Sequence, residues 1–214
     1  MARLRLNITM SLDGYVAGPG QSLENPIGEG ALGLHEWLFA TRSFRATHGM
    51  EGGETGLDDD HVATWTTNIG ATIMGRNMFG PSRGPWGDDA WTGWWGDDPP
   101  FHTPVFVLTH HPREPVELDG GTTFYFVTDG IESALERAAE AAAGQDVSLG
   151  GGADAAQQYL RARLIDQMEV HVVPVLLGAG ARLFDNLGGG PEAYEFVGLD
   201  SSAAAAHYTY VRKP

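Results

Sequence analysis

Val147-Ser148-Leu149-Gly150-Gly151-Gly152 and Ala71-Thr72-Ile73-Met74-Gly75-Arg76-Asn77 share one layout: a short apolar run, then glycine, then the first residues of a helix. Apolar runs of this length, closed by glycine, read as buried strands of a parallel sheet. A helix start offers unpaired amides and the positive end of the helix dipole, and glycine lets an anion approach that backbone. Either cluster alone also fits a plain strand-to-helix turn. A third buried run, Val105-Phe106-Val107-Leu108, stops at Thr109-His110-His111-Pro112. Together they predict three loops at the carboxyl ends of strands, the edge where open α/β sheets bind ligands. Neither glycine cluster has the spacing of a Rossmann fingerprint or a Walker loop. Arg76 beside a phosphate-type turn suits a 2′-phosphate, hence NADPH more than NADH.

Around these segments the pattern alternates. Leu4, Leu6, Ile8 and Met10 have the period of a strand, which ends in the turn Ser11-Leu12-Asp13-Gly14, and Tyr15-Val16-Ala17 extends it briefly. Residues 18–57 form a long loop with one amphipathic island, Leu34-His35-Glu36-Trp37-Leu38-Phe39. Asp58-Asp59-Asp60 reads as a helix start with Val62, Trp65 and Ile69 on one face, its acids solvated at the dipole-favoured end rather than gathered on a metal. Residues 80–104 form a second loop, and it holds Trp86, Trp91, Trp94 and Trp95. Those rings could wall an aromatic pocket, or bury against the first loop or a partner subunit. Phe124 to Val127 reads as a strand, and Ile131 to Ala143 is the clearest helix. A helix follows Gly152, and three strands, Met168 to Leu177, Tyr194 to Leu199 and Ala205 to Val211, succeed one another without helices. Strand–helix alternation followed by a run of strands predicts a single α/β domain whose mixed, mainly parallel sheet is flanked by helices, with antiparallel strands at its C-terminal edge.

Composition narrows the function. The 214 residues lack cysteine, which excludes disulfides, thiol catalysis and thiolate metal sites. Thirteen basic against 28 acidic residues give a net charge of −15, the wrong sign for nucleic acid or an anionic membrane. No apolar run approaches the roughly 18 residues that span a bilayer, and a cytoplasmic location is expected.

The ordered motifs Ile8-Thr9-Met10-Ser11-Leu12-Asp13-Gly14, Met74-Gly75-Arg76-Asn77-Met78-Phe79, Val107-Leu108-Thr109 and Gly150-Gly151-Gly152 resemble those of the dihydrofolate reductase-like superfamily. The Ser-Leu-Asp-Gly turn and His171-Val172-Val173-Pro174-Val175-Leu176-Leu177-Gly178 resemble the branch named after the reductase domain of bacterial riboflavin biosynthesis. The resemblance implies NADPH lying across the strand ends. Gly75, Arg76 and Asn77 would hold the adenosine-side phosphates, with Leu108, Thr109 and His110 nearby. Gly150, Gly151 and Gly152 would cradle the pyrophosphate, and Thr9, Met10, Val16 and Ala17 would border the nicotinamide. Hydride would pass to a C=N or C=O of a small, heterocyclic or carbonyl substrate, the protein mainly positioning the reactants.

The substrate half departs from both relatives. The acid that precedes an aromatic on the first helix of the folate enzymes is not reproduced in Gly33 to Phe39, and the acid common before the glycines in the riboflavin-pathway reductase is replaced by Gly150. Asp13 and Glu36 are the candidate catalytic carboxylates, and His35 and Trp37 the candidate substrate contacts. Asp13 has a second reading as a turn cap, and Trp37 one as core. Members of the branch often dimerise through their C-terminal strands, which implies a homodimer. The competing function is a nucleotide-binding protein that has lost the chemistry.

Overall fold

The computed structural model describes residues 2–81, 83–87 and 91–214. The first strand, β1 (Leu4–Ser11), leads through a tight turn to β2 (Tyr15–Ala17). A 3-10 turn at Ala31–Leu34 and three short helices follow: α1 (Glu36–Ala40), α2 (Arg42–Thr47) and α3 (Leu57–Ala63). Then come β3 (Ile69–Gly75), α4 (Arg76–Phe79), β4 (Pro104–Leu108), β5 (Val116–Glu117) and β6 (Thr123–Val127). The rest is α5 (Ile131–Ala141), β7 (Asp146–Gly151), α6 (Ala153–Arg161), β8 (Gln167–Val173), β9 (Ala181–Arg182), β10 (Tyr194–Ser201) and β11 (Ala206–Arg212).

Nine strands form one sheet in the order β10-β11-β8-β1-β7-β3-β4-β6-β5. The five pairings from β8 to β6 are parallel, while β11 with β8, β10 with β11 and β5 with β6 are antiparallel. The expected mainly parallel sheet with an antiparallel C-terminal edge is therefore present. The small β5 strand adds an antiparallel member at the opposite edge, and β2 pairs with β9 in a separate ribbon.

Side-chain alternation divides the core by face. Leu4, Leu6, Ile73 and Leu149 point toward α5 and α6, where Ala134, Ala138, Ala156 and Tyr159 complete the largest cluster. The buried Tyr159 hydroxyl donates to the carbonyl of Ile131 at 2.8 Å. The other face has two covers. Helices α1 and α3 lay Trp37, Leu38 and Val62 over the β8 side, against Val173. The tryptophan loop covers Met74, Phe79, Val105, Val107 and Phe124 on the β3–β4–β6 side.

Several boundaries differ from the sequence reading. The helix beginning near Asp58 ends at Ala63, so Trp65 lies outside it and Ile69 opens β3. Strand β8 stops at Val173 because Pro174 has no amide to continue the ladder, leaving Leu176 exposed in a loop. The Asp58–His61 segment is not a solvated terminus: Asp59 is buried and holds the amide of Ser43, and Asp58 and His61 face other side chains. The tryptophan loop packs on its own sheet face, with Trp86, Trp91 and Trp95 against the Phe79 cluster.

Candidate functional site

Because β1, β7, β3 and β4 are adjacent and parallel, their carboxyl ends share one edge. Gly75 pairs with Leu108 in register. A Cβ on Gly75 would lie 3.6 Å from the carbonyl oxygen of Gly151 and from the amide nitrogen of Gly152. The two glycine clusters are thus one floor, with Thr109 directly beside it. Gly150 and Gly151 belong to β7 and do not open the helix as expected; Gly152 alone precedes α6. Gly151 has a φ of +111°, a conformation side chains strain to adopt. Space is open where a side chain at Gly152 would stand, and no side chain caps the nine-residue α6. Its first amides are free for an anion.

Arg76 leads out of this floor. Its guanidinium carbon sits 3.0 Å from the centroid of the Trp86 indole, and Nη1 donates to Oγ1 of Thr109 at 3.3 Å. Nε and Nη2 are buried with no partner among the described residues. Burial, then the charges of Arg113 and Arg83, push its pKa down to about 10, so it stays cationic at neutral pH. The Arg113 guanidinium carbon stands 4.8 Å from the same Trp86 ring centroid, and the indole Nε1 donates to the carbonyl of His111 at 2.8 Å. Three arginines therefore crowd one edge of a chain with 13 basic residues in all. Such crowding is unfavourable unless an anion joins it. Arg113 was not among the sequence candidates and Trp86 was one only as a possible pocket wall; a tryptophan that meets two distant arginines leaves no spacing signal. Asn77 is half-buried on α4, Leu108 half-buried at the end of β4, and His110 exposed beyond it.

On the other side of the glycine floor, Thr9 and Met10 lie near the end of β1, and the Ile8 side chain comes within 3.9 Å of a Cβ built on Gly151. Met10 and Val16 pack on the main core, and Ala17 ends β2. The Thr9 hydroxyl accepts from Trp37 Nε1 at 3.2 Å.

The carboxylate candidates separate. Asp13 accepts from the Ser11 hydroxyl at 2.6 Å and from the amides of Gly178 and Leu177 at 2.7 and 3.1 Å. The Ser11 bond, reinforced by those amides, lowers its pKa to about 2. A carboxyl so held has no proton to give near neutrality, and these contacts are those of the turn cap that was its second reading. Glu36 is exposed at the start of α1. His35, just before it, is held below its ordinary pKa by burial and leaves Nδ1 unpartnered among the described residues. Trp37 is 5% exposed and wedged among Trp65, His171 and His207. It packs in the core and fixes Thr9.

A mixed sheet with a glycine floor and an arginine at the tips of its central parallel strands defines the dihydrofolate reductase-like class. Within it, the model of the RibD C-terminal domain matches residues 2–199, and the chain belongs to that family. The fold is similar to that of a protein assigned to riboflavin biosynthesis in Shewanella sp. PV-4, at 23% identity, full coverage of both chains and a TM-score of 0.60. It is also similar to the dihydrofolate reductase of Enterococcus faecalis complexed with NADP(H), at 13% identity, 99% and 97% coverage and a TM-score of 0.54. RibD of Acinetobacter baumannii is similar at 18% identity and a TM-score of 0.60; all of this chain spans 59% of that one. No curated protein sequence matches significantly. Among the described residues no helix is long and apolar enough to cross a membrane.

Proposed function

We propose that the chain is an NADPH-dependent reductase acting on a C=N or C=O of a small heterocyclic or carbonyl compound. The observation that carries this reading is Arg76: a cation stacked on Trp86 beside a glycine floor, with two guanidinium nitrogens unpartnered. That donor set fits the 2′-phosphate of NADPH, a bidentate acceptor. The amides at the start of α6 fit the pyrophosphate, and the bare surface at Gly152 leaves it room. When bound, the dinucleotide supplies a hydride.

The protein's own residues do the rest. Thr9, held by Trp37, and Met10, Val16 and Ala17 would wall the nicotinamide end and keep water from it. Gly75, Asn77, Leu108, Thr109 and His110 would surround the adenosine end. Asp13 keeps the β1–β2 turn, and with it Val16 and Ala17, fastened to the Leu177–Gly178 loop. As hydride reaches the substrate carbon, its nitrogen or oxygen must gain a proton, and Glu36 and His35 at the start of α1 are our candidates for positioning the water that delivers it. We read the chain as a single domain, because strands from both ends join one sheet. We also read it as cytoplasmic, consistent with its freedom from cysteine. A homodimer through β10 is supported by that edge strand's exposed Phe196, Val197 and Leu199.

Titration of the protein with NADPH and NADH, followed by tryptophan fluorescence, tests the reading. NADPH should bind the tighter. Arg76→Ala should weaken NADPH about 10- to 100-fold, the worth of a charge-assisted hydrogen-bond set, and NADH far less. Binding of neither dinucleotide would overturn the proposal. A second reading, nucleotide binding without turnover, is favoured by the segment Gly33 to Phe39, which does not reproduce the acid expected on the first helix from the resemblance to the folate enzymes. Tight NADPH binding with no oxidation across pterins, pyrimidines, imines and ketones would select it.

A further inference from the structure

The proposed reaction leaves a buried histidine cluster unused. His171 of β8 and His207 of β11 are register partners, both fully buried, with their Nδ1 atoms 2.7 Å apart. His207 Nε2 lies 2.9 Å from Oδ1 of Asp58, whose other oxygen accepts from the Ser202 hydroxyl. A carboxylate only accepts, so His207 carries its proton on Nε2 and presents a lone pair at Nδ1. His171 must then donate from Nδ1, and its buried Nε2 has no partner among the described residues. With both rings neutral, this arrangement satisfies every link from Asp58 to His171 and leaves only the Nε2 lone pair of His171 unpaired. His61 of α3 stacks on His207 at 4.1 Å, its Nδ1 3.2 Å from Glu169 of β8 and its Nε2 3.6 Å from Asp200 of β10. Trp37 and Trp65 close the remaining sides. Among the described residues no three His, Cys, Asp or Glu converge as a metal site.

We propose that the Asp58–His207–His171 chain is a proton-sensitive clasp, which holds the α1–α3 cover on the sheet while both rings are neutral and releases it when they take up protons. A proton on His207 Nδ1 would set two donors face to face. A proton on His171 Nε2 would leave a buried N–H without an acceptor. Either ring, once charged, also faces His61; Asp58, Glu169 and Asp200 are the acids that oppose this. Burial outweighs them: both His171 and His207 are held below the ordinary imidazole value of 6.5, His171 further lowered by His207 and His61. Opened rings therefore bind protons that the closed rings refuse. The clasp is at full strength above about pH 6.5 and weakens as pH falls, the opening constant rising up to about tenfold per pH unit for each ring. Release would reach β1, because Trp37 of α1 holds Thr9. The inference rests on the fold and not on dinucleotide binding.

Hydrogen exchange on the intact protein at pH 7.5 and 5.5, corrected for intrinsic rates, tests it with α5 as internal reference. Opening of residues 36–63 should rise at least about tenfold more than that of α5, and the excess should vanish in His171→Asn/His207→Gln. Gln keeps a donor for Asp58, and neither replacement titrates. An equal rise in both regions, or an excess that survives in the variant, overturns the proposal; survival would point to His35, which burial also keeps neutral. Should the variant not fold, ring nitrogen NMR of the wild-type protein decides. His171 should be protonated on Nδ1 and His207 on Nε2 at pH 7.5, with both charging in step with the exchange. Rings already charged at pH 7.5, or still neutral and paired while residues 36–63 open, overturn it.

Discussion

Replacing Trp86 with leucine probes the anion grip without touching any group assigned to the dinucleotide. The indole carries Arg76 at 3.0 Å and Arg113 at 4.8 Å from its centroid, and it donates to the His111 carbonyl at 2.8 Å. The hydrogen bond is worth about 1 kcal/mol. Each cation–π contact at a half-buried site adds about 0.5–1 kcal/mol. With the indole's lost packing, Trp86→Leu should lower stability by about 2–4 kcal/mol, less than the 3–5 kcal/mol typical of a fully buried aromatic truncation. The binding consequence is separate. Arg76 keeps its charge but loses its platform, and ordering one long side chain anew costs about 0.5–1.5 kcal/mol, or about 2- to 12-fold in affinity. That loss should fall on NADPH and spare NADH, which has no 2′-phosphate to meet the guanidinium. Urea unfolding gives the first quantity and calorimetric titration with both dinucleotides the second. Equal weakening of NADPH and NADH, or none of either, would show that Arg76 is not the 2′-phosphate ligand.

Thr9→Val strips the acceptor from the buried Trp37 Nε1; an unsatisfied donor should cost about 1–3 kcal/mol in urea unfolding. Gly70→Ala would push a Cβ to 2.6 Å from the carbonyl oxygen of Ala142, where only backbone can yield. A loss of about 1–3 kcal/mol, read as a lowered Tm, is expected from such overpacking. The ties from Asp13 to Leu177 and Gly178 should be intact above the ordinary carboxylate value of 3.8 and lost as pH falls through about 2. The amide shifts of Leu177 and Gly178 should follow that titration, and should stay flat across it in Asp13→Asn.

The glycine floor was legible because its cause is local: each half is an apolar run closed by glycine, and parallel strands must carry both halves to the same edge. The antiparallel edge was legible for a similar reason, since strands without intervening helices have no crossover to make them parallel. What sequence did not show depends on pairs far apart in the chain. Nothing in Trp86 announces Arg76 and Arg113 at its ring. Nothing in Asp58-Asp59-Asp60-His61 separates a solvated helix end from one whose acids reach His207 and Ser43. Trp37 was readable as core or as contact, and only the register of Thr9 beside His171 places it inside. Asp13 illustrates the remaining kind: its role turns on two amides 164 and 165 residues away.

The charge distribution poses the harder question of how, on the proposed reading, a chain of net charge −15 would attract a polyanion at all. Screening resolves it. At physiological ionic strength the Debye length is about 8 Å, so carboxylates spread across the surface contribute little at any one point. Arg76 feels Arg113 and Arg83 directly: burial first, then the charges of those two arginines, lower its pKa. On the proposed reading, that repulsion is what a bound phosphate relieves. The fold keeps the arginines together with an indole and a threonine hydroxyl, and a phosphate entering between them would relieve the repulsion while satisfying Nε and Nη2. An ordinary acidic surface patch would have supplied a carboxylate to Arg76. Among the described residues this edge supplies an aromatic ring, which fixes the guanidinium's plane while leaving its charge available to a ligand.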